Sequence, residues 1–281
     1  MQFVDVLMYY EGRKEFNLAS LGLRDAFAKA VKNGAPRPFF KACQETEGRV
    51  APHLRHILVR LREYTDLVFA RDLLGVFDIR NPRALNDLIG LLADQTANRF
   101  EYVGLAKIVG LSVDALRDYL DYLEASFLII RSEFWTKSRA SRIRKQKKLY
   151  FHNVGLANGL RGTAGPQLFQ EPEYSGRLVE TLVADHCMRI QWALNLGESP
   201  RLFYWRNYRG QEVNIVLRIS KRPVPVEVKY QTTITQADRR ALLDFLTAHP
   251  TTPFGILVTK DTLGFRDKIV SIPLYLFLLM S

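Results

Sequence analysis

The sequence predicts an α+β protein in which a helical N-terminal region precedes a mixed α/β region. Over about the first 80 residues, apolar side chains recur at three- and four-residue intervals, which is typical of packed helices. From residue 149 onward, short runs rich in β-branched and aromatic residues alternate with helix-periodic segments, which is typical of a sheet flanked by helices. Between them, residues 81–137 have the order helix, short helix, turn, helix, strand.

The composition favours a soluble protein that binds polyanions. The chain has 281 residues and a formal net charge of +11, and a positive field of this size favours nucleic acid as a partner. Its two cysteines, Cys43 and Cys187, predict neither a disulfide framework nor a zinc site. No secretory signal and no apolar run of about 20 residues is visible. We therefore expect a cytoplasmic protein without a membrane partner.

Residues 1–80 are predicted to form a helical region. The segment LASLGLRDAFAKAVKNG ends in Asn33 and Gly34, a typical helix stop. After the turn-rich GAPRP, residues 50–79 are again helix-periodic. His53 and His56 lie close in sequence but lack a third ligand, so we predict no metal site there.

Residues 81–137 have the element order of a winged helix-turn-helix domain. The short helix YVGLAKIV is followed by a turn at Gly110 and Leu111, and Ser112 is the expected N-cap of the next helix. That helix would enter the major groove, yet it carries one arginine, Arg117, against four acids. The acids are Asp114, Asp118, Asp121 and Glu124. Because they would face phosphates, we interpret this helix as a packing or protein-contact surface.

A basic cluster follows between Arg131 and Lys148, where eight basic residues accompany one acid, Glu133. Such a cluster neutralises phosphates without reading bases. A solvated linker is the alternative interpretation. The candidate nucleic-acid-binding residues are Lys137, Arg139, Arg142, Arg144, Lys145, Lys147 and Lys148.

Residues 138–281 are predicted to form an α/β domain. The predicted helices are GRLVETLVADHCMRIQWAL and QADRRALLDFLTAH, and the predicted strands include LFYWRN, EVNIVLRIS, VPVEVKY, FGILVT and IPLYLFLL. Because strand side chains alternate, Glu212 and Asn214 share a face, as do Glu227 and Lys229. The connector SKRP suits a hairpin that places the two pairs side by side, and Glu180 on the preceding helix is expected at the same edge.

Carboxylates that could bind Mg²⁺ would lie beside a lysine in this set of residues. PD-(D/E)xK nucleases have the same arrangement. Glu212, Asn214 and Glu227 are the candidate metal ligands, and Glu180 and Lys229 complete the candidate catalytic set. Asn214 stands where that arrangement has an aspartate, so one negative charge is missing. We therefore predict a degenerate site. The alternative is an active divalent-metal endonuclease.

Several ordered segments resemble a known family. The segments LYFHNVGLANGL, GRLVETLVA, LFYWRNYRGQEVNIVL and PVEVKY are similar to a domain of unknown function with the restriction-endonuclease-like fold, found at the C-terminal end of many prokaryotic AAA-type ATPases. The segments REYTDLVFARDLLGVFDIRNPRAL and LAKIVGLSVDALRDYLDYLEASFLI resemble the lid and winged-helix portion of the same proteins. The family has aspartate where this chain has Asn214 and Asn153.

The resemblance implies three parts: a lid-like region (1–80), a winged-helix-like domain (81–137) and a nuclease-like domain (138–281). No GxxxxGK[ST] segment occurs in the sequence, so we expect no ATPase activity from these residues. The leading prediction is a DNA-binding module of this family with a degenerate nuclease-like site. A module that docks onto a separate P-loop ATPase chain is the third alternative, with the acidic helix at 112–124 as its contact surface.

Overall fold

The structure, a computed structural model, describes residues 13–54, 79–161, 171–194 and 199–280. Its helices there are α1 (Arg13–Asn33), α2 (Pro36–Leu54), α3 (Pro82–Asp94), α4 (Tyr102–Val109), α5 (Val113–Ala125), α6 (Arg139–Arg144), α7 (Val154–Arg161), α8 (Pro172–Leu194), α9 (Gln236–Ala248) and α10 (Leu274–Leu278). Its strands are β1 (Arg99–Phe100), β2 (Ile129–Phe134), β3 (Lys147–Phe151), β4 (Phe203–Arg206), β5 (Glu212–Ile219), β6 (Arg222–Lys229), β7 (Gly255–Thr259), β8 (Gly264–Arg266) and β9 (Ile269–Pro273). The predicted helical segment over residues 55–78 lies outside the described residues.

The chain divides into two compact units. Met1–Arg60 and His186–Ser281 form one, here called the sheet unit, and Leu61–Asp185 forms the other, the helical unit. The predicted boundaries at residues 80 and 137 do not coincide with this division. The first two helices pack with the C-terminal strands, and β3 pairs with β1 and β2, so contacts distant in sequence decide the grouping.

The helical unit combines a helical core with a small antiparallel sheet. Strand β3 pairs with β1 on one side and with β2 on the other. The predicted cap of α5 is confirmed, because the Ser112 hydroxyl accepts the Ala115 N–H at 3.1 Å. Gly110 ends α4 at φ 68°, a left-handed conformation that glycine adopts without steric cost. Leu88 and Leu116 are fully buried in the core of the helical unit.

The sheet unit contains one mixed sheet in the order β4-β5-β6-β7-β9-β8. Strands β4, β5 and β6 pair antiparallel, whereas β6, β7 and β9 pair parallel. Helix α9 connects the parallel neighbours β6 and β7, as a parallel crossover requires. Helices α1 and α2 pack on this sheet through Phe27 and Phe39, whose rings lie 6.2 and 6.0 Å from that of Phe254. The coarse prediction of α+β architecture is confirmed.

A two-residue turn sets the register of the β5–β6 hairpin. Ile219 pairs with Arg222, and Ser220 and Lys221 between them have φ values of 49° and 65°. Positive φ at both central positions is the type I′ geometry, whose twist matches that of the flanking strands. This turn fixes the ladder up to Ile215 and Val226, and therefore brings Asn214 opposite Glu227.

The predicted strand IPLYLFLL is wrong over most of its length. Strand β9 ends at Pro273, and residues Leu274–Leu278 form the short helix α10. Pro273 is the N-cap of this helix. Four of its five side chains are buried, and a short apolar run that is buried all round gives no periodicity that separates strand from helix.

Among the helices of the described ranges, none combines the length and the apolar character needed to cross a membrane.

Candidate functional site

The candidate site lies where the β5–β6 ladder ends. The Asn214 backbone N–H donates to Glu227 Oε2 at 3.1 Å, and the Val228 backbone N–H donates to Asn214 Oδ1 at 2.9 Å. These two bonds from backbone N–H groups to side-chain oxygens take the place of backbone–backbone hydrogen bonds between β5 and β6. The side chains of Asn214 and Glu227 therefore join the two strands through their acceptor oxygens.

Lys229 neutralises the buried Glu227 carboxylate. Lys229 Nζ lies 2.9 Å from Glu227 Oε1, and the Glu227 side chain is only 3% exposed while that of Lys229 is 35% exposed. A buried carboxylate is stable only with a counter-charge and hydrogen bonds, which Lys229 and the Asn214 N–H supply. An aspartate at position 214 would add a second carboxylate beside Glu227. The asparagine adds no charge beside the Glu227–Lys229 pair.

The remaining predicted catalytic residues have other neighbours. Glu212 lies on the same face of β5 as Asn214 and pairs in register with Arg206 of β4. Glu180 belongs to the helical unit, where Lys148 Nζ lies 2.6 Å from Glu180 Oε1. Within the described ranges, no group of three or more His, Cys, Asp and Glu side chains is arranged to hold a metal ion.

Asp238 at the start of α9 lies near this cluster. It forms a capping box with Thr235, whose backbone N–H and hydroxyl donate to Asp238 Oδ2 at 2.8 and 2.6 Å. Burial by itself raises the pKa of Asp238, but the hydrogen bonds from Thr235 and the charge of Lys229 lower it below the ordinary value.

Because the pKa of Asp238 is lower in the folded chain than in the unfolded chain, its contribution to stability is present above the unfolded pKa and is lost as pH falls through the folded pKa. We therefore expect Asp238→Asn to lower the melting temperature at neutral pH and to flatten the loss of stability on acidification below about pH 4. Melting curves of Asp238→Asn and the wild type against pH test this. An unchanged slope in Asp238→Asn would contradict the assignment.

Four of the seven predicted nucleic-acid-binding residues are exposed on the connection between β2 and β3. They are Lys137, Arg139, Arg144 and Lys145. Helix α6 orders this connection, with the Ser138 hydroxyl accepting the Ser141 N–H at 3.2 Å. No carboxylate of the described residues forms an ion pair with any of the four. This set is called the exposed basic connection below.

The other three predicted residues are held inside the helical unit. Lys147 is 7% exposed, and its Nζ donates to the Arg142 carbonyl at 2.7 Å and to Glu133 Oε1 at 3.4 Å. Arg142 Nε lies 3.8 Å from the other oxygen of Glu133. Lys148 is 3% exposed and pairs with Glu180. Buried, paired ammonium groups do not reach solvent phosphates, so Lys147 and Lys148 act in packing.

The acidic surface predicted on helix α5 is partly neutralised by its own neighbours. Arg131 bonds Glu124 and lies 2.7 Å from Asp121, and Arg117 bonds Asp114 at 3.1 Å. Burial opposes a charged Arg131, but the two carboxylates prevail and raise its pKa. Asp118 is also exposed. Three of the four acids of α5 therefore pair with an arginine.

Sequence reasoning missed a polar strip on β3. Lys148 and Tyr150 share one face of the strand, and His152 follows directly after its end. Tyr150 donates to Glu180 at 2.9 Å, and His152 Nδ1 lies 2.8 Å from Asp185. Their spacing of two in KLYFH was the available signal. Asn153, which follows this strand, has a local role, because its Oδ1 accepts the Leu156 N–H at 3.1 Å at the start of α7.

Two family models match the chain. A domain of unknown function (DUF8612) matches residues 50–167, and a domain of unknown function (DUF4143) matches residues 175–277. The chain is 27% identical over 156 residues to an uncharacterized protein of Mycobacterium tuberculosis and to one of Mycobacterium bovis. Each alignment covers 55% of this chain and 34% of the relative, so the chain spans about a third of the length of the curated relatives it matches. No solved structure is significantly similar to it.

Proposed function

We propose that the chain is a nucleic-acid-binding module, related to the C-terminal part of prokaryotic AAA-type ATPases, that contacts the phosphate backbone and carries a degenerate nuclease-like site. The exposed basic connection carries this proposal. It presents four cations that no carboxylate of the described residues pairs with, in a chain whose net charge is +11. Cations of this kind neutralise phosphates and give affinity without sequence preference.

The arrangement of the helical unit supports a winged-helix assignment. Helix α3, strand β1, helices α4 and α5 and strands β2 and β3 follow one another, and β3 lies between β1 and β2. In such a domain the β2–β3 connection is the wing, a loop beside the helix-turn-helix that reaches the nucleic-acid backbone. The exposed basic connection would therefore be a phosphate-contacting wing, while the acidic α5 would not read the groove.

The charge balance at Glu227 supports the degenerate assignment. A Mg²⁺ site needs carboxylates whose charge the cation neutralises, with waters and substrate phosphate in the remaining positions. Here Lys229 already neutralises Glu227, and the neutral Asn214 uses its oxygen to accept a backbone N–H. We infer a retained fold in which these polar groups join strands instead of binding metal.

The acidic surface of α5 favours one further role, docking onto a P-loop ATPase supplied by another polypeptide. The Asp114 side chain is 89% exposed and that of Asp121 60%. Such a surface fits a basic patch of a protein better than phosphate. A pull-down that returns a P-loop ATPase, together with no affinity for DNA, would favour this role over the first.

Fluorescence anisotropy with a labelled duplex tests the main proposal. We expect binding at about 50 mM salt that weakens by orders of magnitude toward 200 mM and differs little between unrelated sequences. Absence of binding at low salt to this duplex and to single strands alike, or tight binding that ignores salt, would overturn it. Plasmid nicking with Mg²⁺ or Mn²⁺ tests the degenerate site. We expect none from the wild type, whereas nicking that Lys229→Ala abolishes would establish an active nuclease.

A further inference from the structure

The connection between β4 and β5 is a tight turn with the sequence Asn-Tyr-Arg-Gly. The Gly210 N–H donates to the Asn207 carbonyl at 3.1 Å, which closes a β-turn, and the Asn207 N–H donates to the Gln211 carbonyl at 2.9 Å. Asparagine at the first position and glycine at the fourth are typical of such turns. Gly210 has φ 85°, which a residue with a Cβ rarely adopts. The turn places Tyr208 and Arg209 at its tip.

Side-chain hydrogen bonds hold this turn against its surroundings. Asn207 Oδ1 accepts the Gln211 N–H at 3.0 Å, and Asn207 Nδ2 donates to Asp244 of α9 at 2.9 Å. Arg206 Nε donates to the Gly210 carbonyl at 3.1 Å. Because the turn is bonded both internally and to a helix, the direction of its tip is set before any ligand arrives.

The tip presents an exposed aromatic ring beside an arginine. Tyr208 is 89% exposed, more than any other large apolar or aromatic side chain in the described ranges. Arg209 Nε donates to the Tyr208 hydroxyl at 3.0 Å, and its guanidinium carbon lies 5.3 Å from the ring centroid. Arg206 and Arg209 are both exposed. By contrast, the strand aromatics Phe203 and Trp205 are buried in the core.

We propose that Tyr208 stacks on an unpaired nucleobase while Arg206 and Arg209 hold the flanking phosphates, so that the ligand has a single-stranded segment. This inference rests on the proposed function and names its substrate class. A base inside a duplex is stacked on both faces and offers the ring no surface, whereas every unpaired base has one. Aromatic stacking combined with backbone-binding cations is the general mode of single-strand binding. Arg209 beside the ring restricts its rotation and lowers the entropic cost of stacking.

The test compares a labelled 20-nucleotide single strand with a blunt duplex of equal length, by anisotropy with the full chain. We expect Tyr208→Ala to weaken single-strand binding by about 5- to 100-fold and to lower the single-strand to duplex affinity ratio. Tyr208→Phe keeps the stacking ring and should stay within about threefold of the wild type. Trp192→Ala, which removes another exposed aromatic ring (72% exposed), should leave single-strand binding unchanged.

The outcomes separate this inference from the function on which it rests. Wild type that binds duplex but not single strand overturns the stacking role and leaves the module a duplex binder. Equal single-strand affinity of Tyr208→Ala and the wild type also overturns the stacking role. If Arg209→Ala then lowers single-strand affinity while Tyr208→Ala does not, this turn contributes to binding through charge alone. Wild type that binds neither nucleic acid overturns the proposed function itself.

Discussion

Glu180→Gln is expected to lower the free energy of unfolding of the helical unit by about 3–5 kcal/mol. Lys148 and Glu180 form an ion pair whose side chains are 4% and 12% exposed. Tyr150 donates a hydrogen bond to the same carboxylate oxygen at 2.9 Å. Glutamine keeps the size of the side chain but removes the charge. The Lys148 ammonium would then stay buried after losing the Glu180 carboxylate, and the loss of one partner of a buried pair costs more than the intact pair contributes.

Chemical denaturation of the full chain at neutral pH measures this effect, with the transitions of the two units fitted separately. The matched control is Glu173→Gln, the same substitution in the same helix, where the Glu173 side chain is 88% exposed beside Arg177. We expect the control to cost less than about 1 kcal/mol, because water screens an exposed pair. Equal losses in the two variants would contradict a buried, energetically coupled pair.

A double replacement tests the physical reason for this effect. In Lys148→Met with Glu180→Leu, both charges of this pair leave the interior together. We expect most of the stability lost in Glu180→Gln to return, apart from the share that the loss of the Tyr150–Glu180 hydrogen bond costs. The comparison separates the cost of an orphaned charge from the loss of packing.

The elements that the sequence predicted well are those whose signals are local. Ser112 caps its helix and Gly110 ends the preceding one, and both signals lie within four residues of the structure they control. The alternation in β5 and β6 likewise placed Asn214 and Glu227 on neighbouring strands with the correct faces. Such features depend on local backbone geometry and on the spacing of apolar and polar residues, and both can be recognised directly in a sequence.

The features that were missed depend on partners far away in the chain. Lys148 belongs to a run of basic residues typical of a solvated linker, but β3 pairs on both sides and turns this side chain toward Glu180, 32 positions later. The hydrogen bonds from the Asn214 N–H to Glu227 and from the Val228 N–H to Asn214 depend on where the ladder stops. The run IPLYLFLL is a helix after Pro273, because its burial on all sides removes the period that would distinguish it.

The reversal of two charges on the exposed basic connection is expected to weaken duplex binding by roughly 10- to 100-fold at about 0.1 M salt. In Arg139→Glu with Lys145→Glu, two proposed phosphate contacts disappear and two repulsive groups replace them. The plot of log affinity against log salt should become shallower by about 1.8, since each lost phosphate contact removes about 0.9 from the magnitude of its negative slope. Both residues are exposed and Arg139 forms no ion pair within the described residues, so the fold should be retained. A melting curve checks this.

The control must change the net charge equally, because the field of the whole protein also attracts DNA. Arg37→Glu with Lys41→Glu does so on α2, where both residues are exposed. If the connection is a wing that touches phosphate, the control should lose less affinity and keep the wild-type salt slope, since long-range attraction is screened over about 10 Å at 0.1 M salt. If both double variants lose affinity and slope equally, the charge of the chain, and not the position of the connection, accounts for binding, and the wing assignment fails.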